Sequence, residues 1–122
     1  MVRQYRHGSQ QVTLEIPGGM IDPGEAPDEA AVRECLEETG YVVNKVSSLG
    51  VLSPNPALFD NRLYTFTGKV VSKAEKVHVS ATENPEVELV SVARARQYLL
   101  DGTIDHALVC TTLWRLLDEW DG

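Results

Sequence analysis

The sequence predicts a single domain over residues 1–122 of the α/β (α+β) class, in which helices pack on a mixed sheet. Three observations support this fold class. Several short segments are rich in strand-forming residues, other segments have the apolar spacing of helices, and there is no repeat, linker or low-complexity tract. With 43% hydrophobic and 24% charged residues, the composition is that of a globular protein that buries a core without disulfide bonds.

The first predicted strand is the segment VTLEI, Val12–Ile16, which alternates in polarity and contains β-forming residues. The segment Pro17–Gly19 ends this strand, because proline and glycine interrupt regular structure. Pro23–Gly24 then predicts a turn.

A helix is predicted over residues 28–39. Pro27 is favoured in the first turn of a helix, and Asp28 and Glu29 suit the positive end of the helix dipole. Gly40 is a natural C-terminal stop, because glycine readily adopts the left-handed conformation.

The remaining sequence predicts three strands and two helices. The strands are Val46–Leu52, Arg62–Val71 and Val87–Val92, and the helices are Ala93–Leu100 and Asp105–Trp120. A polar loop, SATENPE (Ser80–Glu86), separates the last two strands. The longer helix places these residues near one face: Leu108, Thr112, Leu113, Leu116, Leu117 and Trp120.

The helix over residues 28–39 has an unusual concentration of negative charge. A helical wheel predicts a buried stripe of Ala31, Val32, Cys35, Leu36 and Thr39, and it places Ala30, Glu34, Glu37 and Glu38 on the other side. Like charges one turn apart destabilise a helix by about 0.2–0.5 kcal/mol per pair. Arg33 is spaced to pair with Glu37 but cannot neutralise all three glutamates.

Two interpretations of this acidic face are open from the residues alone. One is a solvated surface, which is the usual role of a run of charges. The other is that divalent cations supply the missing positive charge, since Mg²⁺ binds carboxylate oxygens together with substrate phosphates. The glycines that precede the helix would let a backbone carbonyl approach the same cation.

The segment Gly18–Tyr41 resembles the Nudix box, Gly-x5-Glu-x7-Arg-Glu-U-x-Glu-Glu-x-Gly-U, in which U is a bulky apolar residue. The match covers every fixed position: Gly19, Glu25, Arg33, Glu34, Glu37, Glu38 and Gly40. Tyr41 fits the last U position, and Cys35 stands where an aliphatic residue is usual. The resemblance implies a Nudix-type α/β/α sandwich and a hydrolase of nucleoside diphosphates linked to another moiety.

The resemblance also implies roles for these residues. Glu34 and Glu38 are the expected main ligands of Mg²⁺ (or Mn²⁺), with Glu37 and the carbonyl of Gly18 assisting. Arg33 is expected to orient the glutamates, and with Glu37 it is counted among the catalytic residues. Gly19 is assigned to substrate binding, whereas Glu25 and Gly40 are assigned structural roles.

Further segments are similar to the ADP-ribose pyrophosphatase branch of this family: RQYRHG (Arg3–Gly8), LEIPGGMIDPGE and GTIDHALV (Gly102–Val109). The branch has a proline about fifteen residues past the box, which Pro56 matches, although Pro54 lies close by. ADP-ribose or a similar nucleotide sugar is therefore the expected substrate. The alternatives are another nucleotide, such as a dinucleoside polyphosphate or a nucleoside triphosphate, and a non-catalytic or truncated module that binds a ligand or protein.

The branch resemblance also implies residues that contact the substrate. Arg6 is expected to contact a substrate phosphate, Arg62 is a second candidate, and the alternative for each is a plain surface arginine. Glu83, in the loop after the third quarter of the chain, is the expected general base. Glu86 is the alternative within that loop, and a solvated loop acid is the simpler interpretation of both.

The charge and cysteine content limit the partners. A net charge of −7 argues against a nucleic-acid partner, and no segment is apolar enough for a membrane helix. Cys35 and Cys110, far apart in the sequence, favour a reducing cytoplasm. The histidines form no zinc motif, and there is no P-loop or Rossmann fingerprint. Cys35 is expected to pack in the helix rather than act as a nucleophile.

The sequence before Arg3 is short compared with family members, so the first strand of the sheet is expected to be missing or shortened. The segment Val12–Ile16 or its neighbour would then form an unpaired edge, which favours association with another chain. The C-terminal helix also has apolar residues that the sheet would leave uncovered. We therefore expect a homodimer whose interface includes residues 1–16 or the C-terminal helix.

Overall fold

The computed structural model of the protein describes residues 1–74 and 86–121. It confirms the predicted fold class, since one chain contains both antiparallel strands and helices. The strands are β1 (Val2–Arg6), β2 (Gln11–Glu15), β3 (Tyr41–Leu52), β4 (Leu63–Lys73) and β5 (Glu86–Val87). The helices are α1 (Pro27–Thr39), α2 (Val92–Asp101) and α3 (Ala107–Asp121).

The strands form two sheets, and every pairing within the described residues is antiparallel. One sheet has the order β2-β1-β5, and the other pairs β3 with β4. The mixed sheet expected from the sequence therefore takes the form of two antiparallel sheets in these residues. Strand β1 was not predicted explicitly. It is the central strand of the first sheet, and Val2 in it is fully buried.

Helix α1 agrees closely with its prediction. Pro27 is its first residue, and Gly40 ends it with a φ of 79°, while the Gly40 N–H donates to the carbonyl of Leu36 at 2.8 Å. Strand β3 begins immediately afterwards at Tyr41, five residues before the predicted start. Lys45 has a positive φ of 50° beside a shift in register, which breaks the alternation that a strand prediction relies on.

The predicted strand Val87–Val92 is wrong beyond its first residue. Strand β5 contains only Glu86 and Val87, and α2 begins at Val92. The hydroxyl of Ser91 accepts a hydrogen bond from the N–H of Arg94 at 3.1 Å, which caps the new helix. A local cap therefore outweighs the β propensity of the valines.

The core joins β2 to the start of α3 through Leu14, Ile104, Val109 and Leu113. On α3 the predicted inner residues Thr112, Leu113 and Leu117 are buried, whereas Trp120 is 64% exposed.

The predicted inner stripe of α1 needs correction. Its members are only half-buried, and the buried residue of the helix is Ala30, which the wheel placed on the acidic side. On the acidic side the loop after β2 also approaches the helix, with Gly19 directly against Glu34.

Among the described residues, none of the helices has the length and apolar character required to span a bilayer.

Candidate functional site

Arg33, in the middle of α1, lies at the centre of the candidate site. Its Nε donates to Oε2 of Glu25 at 2.8 Å and its Nη2 donates to Oε1 of the same carboxylate at 3.0 Å. Nη2 also donates to the carbonyl of Met20 at 2.9 Å. These bonds attach the loop between β2 and α1 to the helix through a bidentate pair, which is the strong form of an arginine–carboxylate contact.

The same guanidinium also binds two glutamates of its own helix. Nη1 donates to Oε1 of Glu34 at 2.9 Å and to Oε2 of Glu37 at 3.1 Å. The pKa of Arg33 is raised, chiefly by the hydrogen bonds to Glu25 and then by those to Glu34. One cation therefore offsets part of the repulsion on the acidic side of α1.

Glu25 connects the two ends of the loop. Its Oε1 accepts a hydrogen bond from the N–H of Asp22 at 3.0 Å, and its own N–H donates to the carbonyl of Asp22 at 3.0 Å. The hydrogen bond from Arg33, followed by the one from Asp22, lowers the pKa of Glu25. Between them Gly24 has a φ of 80°, which favours glycine. This turn holds the loop over the acidic side of the helix.

The glycines after β2 bring bare backbone against two of the glutamates. The N–H of Gly18 donates to Oε2 of Glu38 at 3.2 Å. A Cβ atom at Gly19 would lie 2.5 Å from Cδ of Glu34, which is closer than packed carbon atoms approach. Gly18 has open space at the corresponding point. Gly19 is therefore the position at which a side chain would displace Glu34.

The residues on the acidic side of α1 can be compared with the ligands of a metal ion by the chemistry and the orientation of their side chains. The donors are carboxylates of Glu34, Glu37 and Glu38 and the backbone of Gly18, which are the oxygen ligands that a hard divalent cation prefers. Within residues 1–74 and 86–121, no three acidic, histidine or cysteine side chains already converge on a common point. The reason is that oxygens of Glu34 and Glu37 point to Arg33. Glu37 is 52% exposed, and the carboxylate oxygens on this side of α1 are of the type that a hard divalent cation prefers.

Arg6 is placed near the acidic side by a partner that the sequence analysis missed. Its guanidinium makes a two-point contact with the carboxylate of Glu15, and Glu15 is 4% exposed. The pKa of Arg6 is raised first by the hydrogen bond to Glu15, and the charge of Glu38 adds to the effect. In the sequence, Glu15 and Thr13 are alternate residues of β2. A polarity pattern assigns both of these polar side chains to the solvent-facing side of the strand.

The other predicted substrate and base residues lie elsewhere or outside the described chain. Arg62 donates to the hydroxyl of Ser53, across the loop between β3 and β4. Glu86 is exposed in β5, where it lies opposite Arg3 in the register. Glu83 lies outside the described residues. The structure therefore brings together Gly18, Gly19, Glu25, Arg33, Glu34, Glu37 and Glu38, with Arg6 beside them.

The comparisons with known proteins agree on one family. Residues 1–109 match the NUDIX domain. The chain is 32% identical to an ADP-ribose pyrophosphatase of Bacillus subtilis over 75% of its length, and 32% identical to a methanol dehydrogenase activator of Bacillus methanolicus over 85% of its length. A solved structure, an ADP compounds hydrolase, is 27% identical and superposes with a TM-score of 0.85 over 98% of this chain.

The chain spans about half the length of these curated relatives, 49% of the pyrophosphatase and 57% of the activator, and 63% of the solved structure.

The close approach of the loop to Glu34 predicts a difference between two neighbouring glycines. In Gly19→Ala the new methyl group displaces the flexible Glu34 carboxylate, so we expect little change in the melting temperature. For the hydrolysis of ADP-ribose that the sequence leads us to expect, kcat/KM should fall at least about tenfold in this variant, because a small displacement of a catalytic group is costly. Gly18→Ala is the matched control and should keep wild-type kinetics, since its methyl group enters open space. Equal kinetics of the two variants would contradict the geometry.

Proposed function

The chain belongs to the NUDIX domain family, and from that premise we propose that it is a metal-dependent pyrophosphohydrolase. The proposed substrate is a nucleoside diphosphate linked to a second moiety, with ADP-ribose or a similar nucleotide sugar as the first choice. The observation that carries the proposal is the Arg33 guanidinium, which holds the loop and two glutamates of α1 in one connected group.

The connected group supports hydrolysis better than a surface role. A solvated acidic face has no need of an arginine that is only 27% exposed and bonded to four residues, or of a glycine loop packed against a carboxylate. Hydrolases of the family generally use divalent metal ions. A cation bound by Glu34, Glu38, Glu37 and the carbonyl of Gly18 would polarise phosphoryl oxygens and make water more acidic.

The protein groups have separate tasks in this proposal. Arg33 orients the glutamates, Glu25 holds the loop, and Arg6 binds a phosphate of the substrate. Arg6 suits that task because its side chain is 48% exposed while Glu15 fixes its position. Arg62 is a second candidate for phosphate binding, since it is an exposed cation at the start of β4.

The substrate class is inferred from the relatives. One relative is an ADP-ribose pyrophosphatase, and the similar solved structure is an ADP compounds hydrolase. Both names point to an adenosine diphosphate linked to a further group. We therefore propose ADP-ribose for the first assay, with ADP-glucose as the comparison.

Metal dependence is the first test of the proposal. Hydrolysis of ADP-ribose should stop in EDTA and return with excess Mg²⁺ or Mn²⁺. Glu38→Gln should lower kcat by at least about 10²-fold, which corresponds to about 3 kcal/mol of transition-state stabilisation. Its melting temperature should change little compared with the loss of rate, because the amide oxygen still accepts from Gly18. Glu29→Gln, on the exposed first turn of α1, is the matched control. Full activity of Glu38→Gln or of the enzyme in EDTA would exclude this mechanism.

The general base is proposed to be Glu83. Glu83→Gln should lower kcat by about 10²–10⁴-fold with little change in KM, because a base acts in the transition state more than in binding. Glu86→Gln is the comparison, since Glu86 is held in β5 by its pairing with Arg3. A larger effect at Glu86 would reassign the base. If neither variant loses activity, hydrolysis needs no glutamate from this segment.

We also propose that the chain forms a homodimer. Strand β2 is at the edge of its three-stranded sheet, and Val12 and Tyr5 are 63% and 52% exposed. On α3, Trp114 and Trp120 are 40% and 64% exposed. Light scattering at micromolar concentration should give twice the 13.5 kDa mass of one chain. A monomer of 13.5 kDa with a cooperative melt would show that the sheet edge needs no partner.

The free thiols of Cys35 and Cys110 fit a reducing compartment such as the cytoplasm.

A further inference from the structure

We propose that Glu15 is a positioning residue, which holds the guanidinium of Arg6 in the direction required to bind a substrate phosphate. This inference rests on the proposed hydrolase function. It assigns a task to a buried carboxylate outside the acidic side of α1.

The register of the first sheet places the two residues on one face. Val2 lies opposite Glu15, Gln4 opposite Thr13, and Arg6 opposite Gln11. Facing residues of an antiparallel pair share a side of the sheet, so the side chain of Arg6 must extend back along that face to reach Glu15. It does so with Nε at 2.6 Å from Oε2 of Glu15 and with Nη2 bonded to Oε1.

Glu15 has further partners that fix its own direction. The hydroxyl of Thr13 donates to Oε2 of Glu15. Nε2 of His106 lies 4.0 Å from Oε1. Nδ1 of His106 accepts the N–H of Leu108 at 3.2 Å, and Nε2 is the nitrogen that faces Glu15. Three groups from β1, β2 and the start of α3 thus surround one carboxylate.

The balance of forces on Glu15 keeps it charged. Burial alone would raise its pKa, but the hydrogen bonds from Arg6 and Thr13 and the nearby charges lower the pKa below its usual range. A buried carboxylate that stays ionised holds its cation firmly, because leaving either partner unpaired is costly. Arg6 is thereby fixed although its own side chain is 48% exposed.

The contact with Glu15 occupies only part of the Arg6 guanidinium. Within the described residues, its bonds to Glu15 use Nε and Nη2 and leave Nη1 for a further acceptor. The hydrogen bond to Glu15 is the main cause of the raised pKa of Arg6, and the charge of Glu38, a proposed metal ligand, adds to it. Three residues after Glu15, Gly18 donates to Glu38, so the same end of β2 anchors both groups.

Arg3 provides a matched comparison on the same strand. It is paired with Glu88 at 2.6 Å, and the two side chains are 39% and 32% exposed. Being three residues from Arg6, it lies on the opposite face of β1. Like Arg6, Arg3 forms an ion pair with a glutamate and has a partly exposed side chain. Because it lies on the opposite face of β1, it cannot reach a phosphate that Arg6 binds.

The test is a double-mutant cycle on steady-state hydrolysis of ADP-ribose with Mg²⁺, with the melting temperature of each variant measured in parallel. Glu15→Gln and Arg6→Gln should each raise KM about tenfold, the loss expected for one charge-assisted hydrogen bond, with a much smaller change in kcat. The variant that carries both substitutions should have the KM of Arg6→Gln, because Glu15 acts only through Arg6. Arg3→Gln should keep the wild-type KM.

The cycle separates this inference from the proposed function. If the wild-type chain hydrolyses neither ADP-ribose nor ADP-glucose, the proposed function is wrong and the positioning role is excluded with it. If the wild type is active and the two KM effects multiply, or Glu15→Gln lowers only the melting temperature, Glu15 is a structural residue and the inference alone is overturned. If Glu15→Gln does not fold, the double variant is compared with Arg6→Gln instead, because the double variant has no unpaired buried charge. A KM of the double variant above that of Arg6→Gln overturns the inference.

Discussion

The arrangement of the site depends on one guanidinium. Arg33 contacts the loop carboxylate of Glu25, the carbonyl of Met20 and the helix glutamates Glu34 and Glu37, all at 2.8–3.1 Å. Only the planar fork of arginine supplies that many donors in fixed directions. Together with the bond from Gly18 to Glu38, these contacts hold the loop on the acidic side of α1, where Gly19 closes against Glu34.

Two arginines from different elements supply positive charge to the glutamates of α1. Arg33 offsets the glutamates from within α1, and Arg6 approaches them from β1, held by the buried Glu15. In a chain with a net charge of −7, such local cations would favour the approach of the proposed anionic nucleotide. The glutamates supply oxygen ligands of the type that a divalent cation prefers, and a bound cation would add the remaining positive charge. Binding and catalysis in this account are thus consequences of where a few cations are fixed.

The parts that the sequence predicted are those decided by local chemistry. Helix α1 was predicted almost to the residue because Pro27 and Gly40 mark its ends, and the spacing of its glutamates indicated the acidic group. Features that depend on distant segments were not predictable in this way. The burial of Ala30 depends on how α1 packs in the fold, and the role of Glu15 follows from the register of β1 with β2. A polarity pattern contains no information on either contact.

The most direct measurement of the central claim is the kinetics of Arg33→Lys at saturating Mg²⁺. Lysine keeps the positive charge but has a single nitrogen, so it cannot bind Glu25 and the helix glutamates at the same time. The account predicts that kcat/KM for ADP-ribose falls at least about tenfold, since misplaced catalytic groups lose rate. Arg94→Lys, on α2 beside Tyr98, should leave kcat/KM unchanged. Wild-type kcat/KM in Arg33→Lys would contradict the claim that the geometry of the guanidinium, rather than its charge, organises the site.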